Sequence, residues 1–333
     1  MKYCTYSLRS GDRPRFGFKK GPWIVDVIRA AIWVKQQSGN ADFLDLPTTM
    51  KRALANWHAN HKKLRELSAA LPDYDLDTYQ ANDHPIATAE ARVIFHPPVP
   101  DPATIRDFYA FEQHVKAARQ LRGLAMDPEW YELPVFYFSN PNALLGHRAP
   151  LIYPAGTREL DFELEIAAII GLEGRDIPAG DADYHIAGYT IMNDWSARDW
   201  QRREMKLNLG PAKGKDFATS LGPWLVTPDE FTTSHDDKSL NLTMTATLNG
   251  TEISHGNTAD MYHPFPVLIA QASRNTRLVP GDIIGSGTVG TGCILELQPE
   301  TTGGWLKPGD VVSLDIESLG TLTNQIIQQE EVI

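Results

Sequence analysis

The sequence predicts a mainly β protein with a minority of helices, an α+β arrangement of a small N-terminal domain over 1–100 and a larger domain over 101–333. Three observations predict it. Short runs rich in β-branched and aromatic residues, bounded by Gly, Pro and Asp, recur along the chain. One extended stretch carries apolar residues at helical spacing. Pro97, Pro98, Pro100 and Pro102 crowd the end of a segment rich in Asp, Pro and small residues, which marks the boundary. At 333 residues the chain exceeds one average domain and can bury a sizeable core.

Taken in order, residues 3–8, 15–18 and 23–27 read as a β-meander with turns at Gly11-Asp12 and Gly21-Pro22. Over 48–70, Leu54, Trp57, Leu64 and Leu67 recur at helical spacing, with Thr48 or Thr49 as cap and Pro72 ending the run, so one long amphipathic helix is expected. Beyond the boundary, strands are expected over 160–170, 221–226, 240–249, 283–289, 293–297 and 311–316. Pro280-Gly281-Asp282 and Pro308-Gly309-Asp310 each read as a tight turn feeding a strand.

Composition narrows the function. Net charge is −11, which excludes sequence-independent binding to nucleic acid, because that binding draws on clustered Lys and Arg. An anionic substrate then needs a local basic pocket. No stretch of eighteen residues lacks charge and residues 1–10 form no apolar leader, so neither membrane association nor export is expected. Cys4 and Cys293 are too few for a disulfide framework, which points to the cytoplasm.

Three clusters carry chemistry. In Asp161-Phe162-Glu163-Leu164-Glu165-Ile166, period-two alternation buries Phe162, Leu164 and Ile166 and aims Glu163 and Glu165 together. The run continues into apolar Ala167-Ala168-Ile169-Ile170, and paired carboxylates entering a core require a cation or shared protons. Hard oxygen ligands favour magnesium, calcium or manganese. The second cluster, Asn193-Asp194-Trp195-Ser196-Ala197-Arg198-Asp199-Trp200-Gln201, reads as a helix start with Ser196 as its cap, placing Arg198 and Gln201 on one face beside Asp194. The third, Asp107-Phe108-Tyr109-Ala110-Phe111-Glu112-Gln113-His114, supplies a carboxylate, a phenol and an imidazole in one short segment.

At these clusters the sequence resembles the fumarylacetoacetate hydrolase family, over roughly 101–317 and in the family's order. The resemblance implies a mixed β-sandwich roll, a homodimer, and one divalent metal ion, Mg2+ first with Mn2+ or Ca2+ as alternatives, held by Asp107, Glu163, Glu165 and Asp194. It also implies catalytic roles for His114, Glu296, Lys215, Arg198 and Gln201, with Glu296 orienting His114. Tyr109, Tyr137 and Thr288 match the substrate-binding groups. The family's substrate arginine falls near Gly123, leaving Arg119 or Arg122 to serve, with Arg122 the candidate. The implied reaction is hydrolysis of a C–C bond in a small 1,3-diketo acid such as fumarylacetoacetate or an acylpyruvate, with His114 activating water. A decarboxylase or a tautomerase/isomerase on the same fold, and an inert metal-binding scaffold, are the alternatives. Gly285-Ser286-Gly287-Thr288-Val289-Gly290 satisfies a GxGxxG spacing, but the expected strand after it rejects a dinucleotide site and favours a turn lining the pocket. Residues 210–216 lack the Ser or Thr that a phosphate loop requires.

Overall fold

In the computed structural model, which describes residues 1–231 and 240–328, the opening meander forms β1 (Lys2–Ser7), β2 (Arg15–Lys20) and β3 (Trp23–Asp26). Gly11 and Gly21 turn at φ +84° and +59°, backbone that a Cβ disfavours. The meander runs on into an unexpected helix, α1 (Val27–Ser38), capped by the Asp26 carboxylate accepting from Arg29 N and closed by Gly39 at φ 77°. Its first residues, Val27 and Ile28, have the β-branched character of the preceding strand, which masks the cap signal.

The single helix expected over 48–70 is two, α2 (Met50–Leu54) and α3 (Trp57–Ala69). Thr49 caps the first through its hydroxyl, which accepts from Arg52 N. The chain breaks at Asn56, at φ −142° and ψ 61°. Asn60 Nδ2 bridges the break by donating to the Ala53 carbonyl at 2.9 Å. Leu54, Trp57, Leu64 and Leu67 all reach one apolar core, so helical spacing survives a break that the periodicity alone hides.

The largest sheet continues through β4 (Ala87–Ala89), β5 (Ile105–Phe108), β6 (Phe136–Ser139), β7 (Leu164–Ile170), β8 (Ile186–Asp194), β9 (Thr219–Val226) and β10 (Ile283–Gly285). Its path runs β4-β3-β2-β1-β9-β8-β7-β10-β5-β6, and β1 joins β9 through the pairs Lys2↔Val226 and Tyr3↔Leu225. The sheet is therefore continuous from the N-terminal segment into the rest of the chain. β7, β8 and β9 are buried along their whole length because both faces are covered. Ile166, Ala168 and Ile170 pack on one side, while Ile169, Ala187 and Leu225 meet the helices α1 to α3 on the other.

A second sheet of five strands runs Leu151–Ile152, Gly320–Ile327, Val311–Ile316, Thr243–Leu248, Thr251–Asn257 and puts Met244, Ala246, Val312, Leu314 and Ile326 into the first of these cores. Two sheets on a shared core with helices outside give the mixed β-sandwich with helices that was expected. Both Pro-Gly-Asp turns form, with Asp282 and Asp310 accepting from the amides of Val279 and Lys307 at 2.9 Å.

Four local expectations are corrected. The strand over 160–170 is interrupted at Phe162-Glu163, because Leu160–Asp161 leaves to pair with Ser196–Ala197. Ser196 is consequently in a strand pair and not a helix cap. Its hydroxyl donates to the Asp194 carbonyl at 3.1 Å, and α5 (Arg198–Met205) begins after Ala197. The strand expected over 293–297 is a short helix, α6 (Ile294–Leu297), whose first amides are taken by Asp161 from across the fold. The strand over 283–289 stops at Gly285, and Gly287 at φ +77° turns the chain away.

Candidate active site

Strand ends bring four carboxylates together. Asp107 is the third residue of β5, facing Tyr137 on β6 and Gly285 on β10 in register. Glu165 lies at the start of β7, and Asp194 ends β8. Glu163 precedes β7 and is held by its amide donating to Asn193 Oδ1 at 3.0 Å. One ligand atom from each of these four buried residues lies within 4.8 Å of the others. The approach is close because β10 carries Gly285, where a Cβ would meet Asp107 Oδ1 at 2.5 Å. Gly287 N donates to the same oxygen at 3.2 Å, so the Gly-rich turn lines this cluster, and Thr288 Oγ1 reaches Glu165 Oε1 at 3.4 Å.

Two cations offset part of this charge. Lys215 Nζ donates to Glu163 Oε2 and, at 2.5 Å, to Asp194 Oδ2, which also accepts from the Tyr137 hydroxyl. Arg198 Nη2 is 2.8 Å from Glu163 Oε1, an ionic contact without hydrogen-bond alignment, and its Nη1 donates to Gln201 Oε1 at 3.1 Å. Burial alone would raise Glu163, but Lys215 and Arg198 outweigh it and bring the carboxyl down to about 2. Asp107, Glu165 and Asp194 are instead raised, first by burial and, for Asp107 and Glu165, next by their carboxylate neighbours. Lys215 itself is raised, since Asp194 and Glu163 outweigh the burial that would lower it.

Glu165 Oε2 and Asp194 Oδ1 are buried without a hydrogen-bond partner among the described residues. Unpartnered anionic oxygens in a core are costly, and a set of hard oxygen donors at this spacing suits a divalent cation of the Mg2+, Mn2+ or Ca2+ type. The residues present therefore fit the expected metal.

Beside the cluster stands a second set. His114, on α4 (Glu112–Gln120), shares a hydrogen bond between Nδ1 and Glu296 Oε1 from α6. Glu296 Oε2 accepts from Thr291 N at 3.0 Å, and Cys293 Sγ is 3.8 Å from Oε1. With Nδ1 committed to Glu296, Nε2 is the imidazole nitrogen left for a proton in transit. Tyr109 packs edge-on against His114 at 5.4 Å between ring centroids, its hydroxyl pushed up to about 12 by burial. A cavity of about 230 Å³ opens between Tyr137, Phe138, Ala212 and Lys215. The larger surface cavity, about 620 Å³ beside Trp57, Gly171 and Gly281, lies at the far end of β7 from these groups.

The structure thus gathers Asp107, Glu163, Glu165, Asp194, Tyr137, Lys215, Arg198, Gln201 and Thr288 in one place and sets Tyr109, His114 and Glu296 beside it. Arg122 is exposed, with Nε donating to the Ala118 carbonyl at 3.0 Å. Arg119 is turned to Ala125 and lies 3.9 Å from Asp127. Sequence reasoning missed Asp161, which is fully buried and bound to Arg198. The signal available was an Asp opening the acidic alternation, which read only as strand.

Residues 103–327 match the family described as fumarylacetoacetate (FAA) hydrolase C-terminal. Among curated relatives, the chain is 34% identical over 194 residues to oxaloacetate tautomerase FAHD2A, mitochondrial, of Homo sapiens, covering 58% of this chain and 59% of that one. It is 32% identical over 197 residues to the 4-hydroxyphenylacetate degradation bifunctional isomerase/decarboxylase of Salmonella dublin, covering 59% of this chain and 42% of that one. The chain therefore spans less than two thirds of the length of these relatives. A solved structure of maleylpyruvate hydrolase from Sphingobium sp. SYK-6, in complex with manganese (II) and pyruvate, matches 99% of this chain and 100% of its own with a TM-score of 0.68 at 23% identity, a likeness of fold. With the family match covering 103–327 and the acidic cluster within that range, the chain belongs to the fumarylacetoacetate hydrolase family.

Proposed function

We propose that this chain is a metal-assisted enzyme acting on a small 2-oxo or 1,3-dicarbonyl acid, and that the substrate's enolate is the species its site stabilises. The observation that carries the reading is the His114–Glu296 hydrogen bond standing beside four buried carboxylates. A divalent cation held by Asp107, Glu163, Glu165 and Asp194, Mg2+ in the first instance and Mn2+ or Ca2+ otherwise, supplies Lewis-acid stabilisation of developing negative charge when bound. Buried Lys215 and Arg198, with half-buried Gln201, offer the positive and polar groups that an acid substrate needs in a chain of net charge −11. Tyr109, Tyr137, Thr288 and Arg122 are the proposed substrate-binding groups.

In the hydrolytic reading, His114 takes a proton from water and hydroxyl adds to the distal carbonyl. The C–C bond breaks, its electron pair departs as the enolate, and a proton returned from the imidazolium yields two acids. Glu296 holds the imidazole and offsets its charge. Such a base contributes about 10²–10⁴-fold. A second reading is favoured by the likeness to oxaloacetate tautomerases. Here His114 moves a proton between the carbon beside the carbonyl and the enol oxygen, with no bond between carbons broken. Decarboxylation would use the same enolate site without His114 activating water.

The test follows ultraviolet loss of the enol chromophore for oxaloacetate, acylpyruvates and fumarylacetoacetate, with EDTA, Mg2+ or Mn2+, and His114→Ala alongside wild type. Two acids formed with metal and not by the variant support the hydrolase. Interconversion of keto and enol forms without cleavage supports the tautomerase, and release of carbon dioxide the decarboxylase. No turnover of any acid by metal-loaded wild type sinks the enzyme reading and leaves an inert metal-binding protein. A homodimer is proposed on the family resemblance, and light scattering at about twice the 37.1 kDa chain mass checks it. Cytoplasmic placement is proposed from the cysteine content, while the human relative is named as mitochondrial. Among the described residues no helix is long and apolar enough to cross a membrane.

A further inference from the structure

Four hydrogen bonds converge on a carboxylate that the reaction does not use. Asp161 is completely buried. Its Oδ1 accepts from Ile294 N at 2.8 Å and from Phe162 N at 2.9 Å. Its Oδ2 accepts from Leu295 N at 3.1 Å and from Arg198 Nε at 2.8 Å. Both oxygens are thereby saturated. The partners belong to three separate pieces of the site: the segment leading into Glu163 and Glu165, the start of α5, and the start of α6.

We propose that Asp161 is a positioning residue that fixes the Glu296 helix and the Arg198 guanidinium against the carboxylate cluster. The inference rests on reading His114–Glu296 as the proton-transfer pair. α6 has only four residues, too few to hold itself as a helix, and its cap residue Cys293 makes no side-chain cap bond. Asp161 supplies the missing acceptors for its first two amides from a distant part of the sequence. Glu296 is the third residue of that helix, so where Asp161 sits decides where Glu296 Oε1 meets His114 Nδ1. On its other side Asp161 turns Arg198 so that Nη2 reaches Glu163. One carboxylate thus sets the distance between the proton-transfer pair and the metal-binding oxygens.

Asp161→Asn keeps the shape but presents an NH2 group to Leu295 N or Arg198 Nε, two donors facing each other. Expected is a fall in kcat of about 10–10²-fold, within the range a positioned base supplies, with a smaller rise in KM through the displaced Arg198. A purely structural role predicts effects that multiply with those of other lesions; positioning through Glu296 predicts that they do not. The double variant Asp161→Asn/Glu296→Gln should be no more than about twofold slower than Glu296→Gln alone. Amide hydrogen exchange should rise at 294 and 295 and stay unchanged along β7, a readout that needs no substrate. If wild type turns over no acid, the functional reading fails and the exchange measurement still decides the positioning. Should the Asn variant not fold, Asp161→Glu, which keeps the charge but lengthens the arm, is read by the same two measurements. Unchanged kcat with unchanged exchange at 294–295, or multiplicative losses in the double variant, would overturn the proposal.

Discussion

Replacing Lys215 by Met tests whether this side chain stands in for part of the cation's charge. Lys215 Nζ touches Glu163 and Asp194, and both carboxylates are buried. Removing one partner of a buried pair costs about 3–5 kcal/mol, because the other charge is left behind. The loss is bounded: Arg198 stays beside Glu163 and still holds it down, while Asp194, already raised by burial, rises further once Lys215 no longer lowers it. Unfolding entropy near 2.1 cal/mol/K per residue gives about 0.7 kcal/mol/K for 333 residues, so the melting temperature in EDTA should fall by about 4–7 °C. Mn2+ should reverse the fall. The cation no longer competes with an ammonium for two of its oxygens, so it should bind Lys215→Met more tightly than wild type, and saturation at 1,000 times Kd returns about 4.1 kcal/mol. Activity should drop despite the tighter metal, since the substrate's acid loses a counter-charge. The assay is a thermal melt with EDTA and with Mn2+, paired with a calorimetric titration. A variant as stable as wild type in EDTA, or one that binds Mn2+ more weakly, would refute the reasoning.

Gly285→Ala places a Cβ 2.5 Å from Asp107 Oδ1 and 3.0 Å from Met192 Cε; the overpacking should cost about 1–3 kcal/mol, and displacement of the carboxylate should weaken Mn2+ binding by about tenfold or more, both read by melt and titration. His61 and His147 are pushed down to about 4, chiefly by burial, so each is neutral in the fold and protonated below about 6.5 when unfolded. Stability from this source is present above that pH and lost as pH falls from about 6.5 towards 4. His147→Gln should therefore lose less stability than wild type between pH 7.5 and 4.5, and equal losses would count against it.

What was legible in the sequence is what local physics decides. The alternation through Glu163 and Glu165 exposed two carboxylates without an obvious solvent face, and the Asn193 to Gln201 run put Asp194 beside Arg198. The Pro-Gly-Asp turns appeared where their side-chain chemistry requires. What was hidden depends on partners far away in the chain. Residues 293–297 have the composition of a strand, and become helical because Asp161, more than a hundred residues earlier, accepts their amides. Ser196 with Asp199 three residues on has the spacing of a cap, but Leu160–Asp161 pairs with Ser196–Ala197 and delays the helix. The break at Asn56 is silent because both helices face the same core. The alternating strand was likewise cut at Phe162-Glu163 by a pairing that no local pattern encodes.

On the function proposed above, a division of labour within the site lets one fold serve different reactions. Asp107, Glu165 and Asp194 sit on strands of the largest sheet, all three buried along their whole length, so their positions are as fixed as the core itself. Stabilising an enolate is common to hydrolysis, tautomerisation and decarboxylation, and in the proposed reading the core holds the carboxylates assigned to it. His114 and Glu296 are mounted differently, on α4 and on a four-residue helix beyond the Gly-rich turn. Elements that short draw their geometry from outside contacts. Small changes at 287–296 can therefore move the proton-transfer pair, and with it the choice between attacking a carbonyl with water and moving a proton, without disturbing the carboxylates. In that reading the specificity of the reaction resides in how α6 is anchored, and in this chain the hydrogen bonds to Asp161 and from the Thr291 amide provide that anchoring.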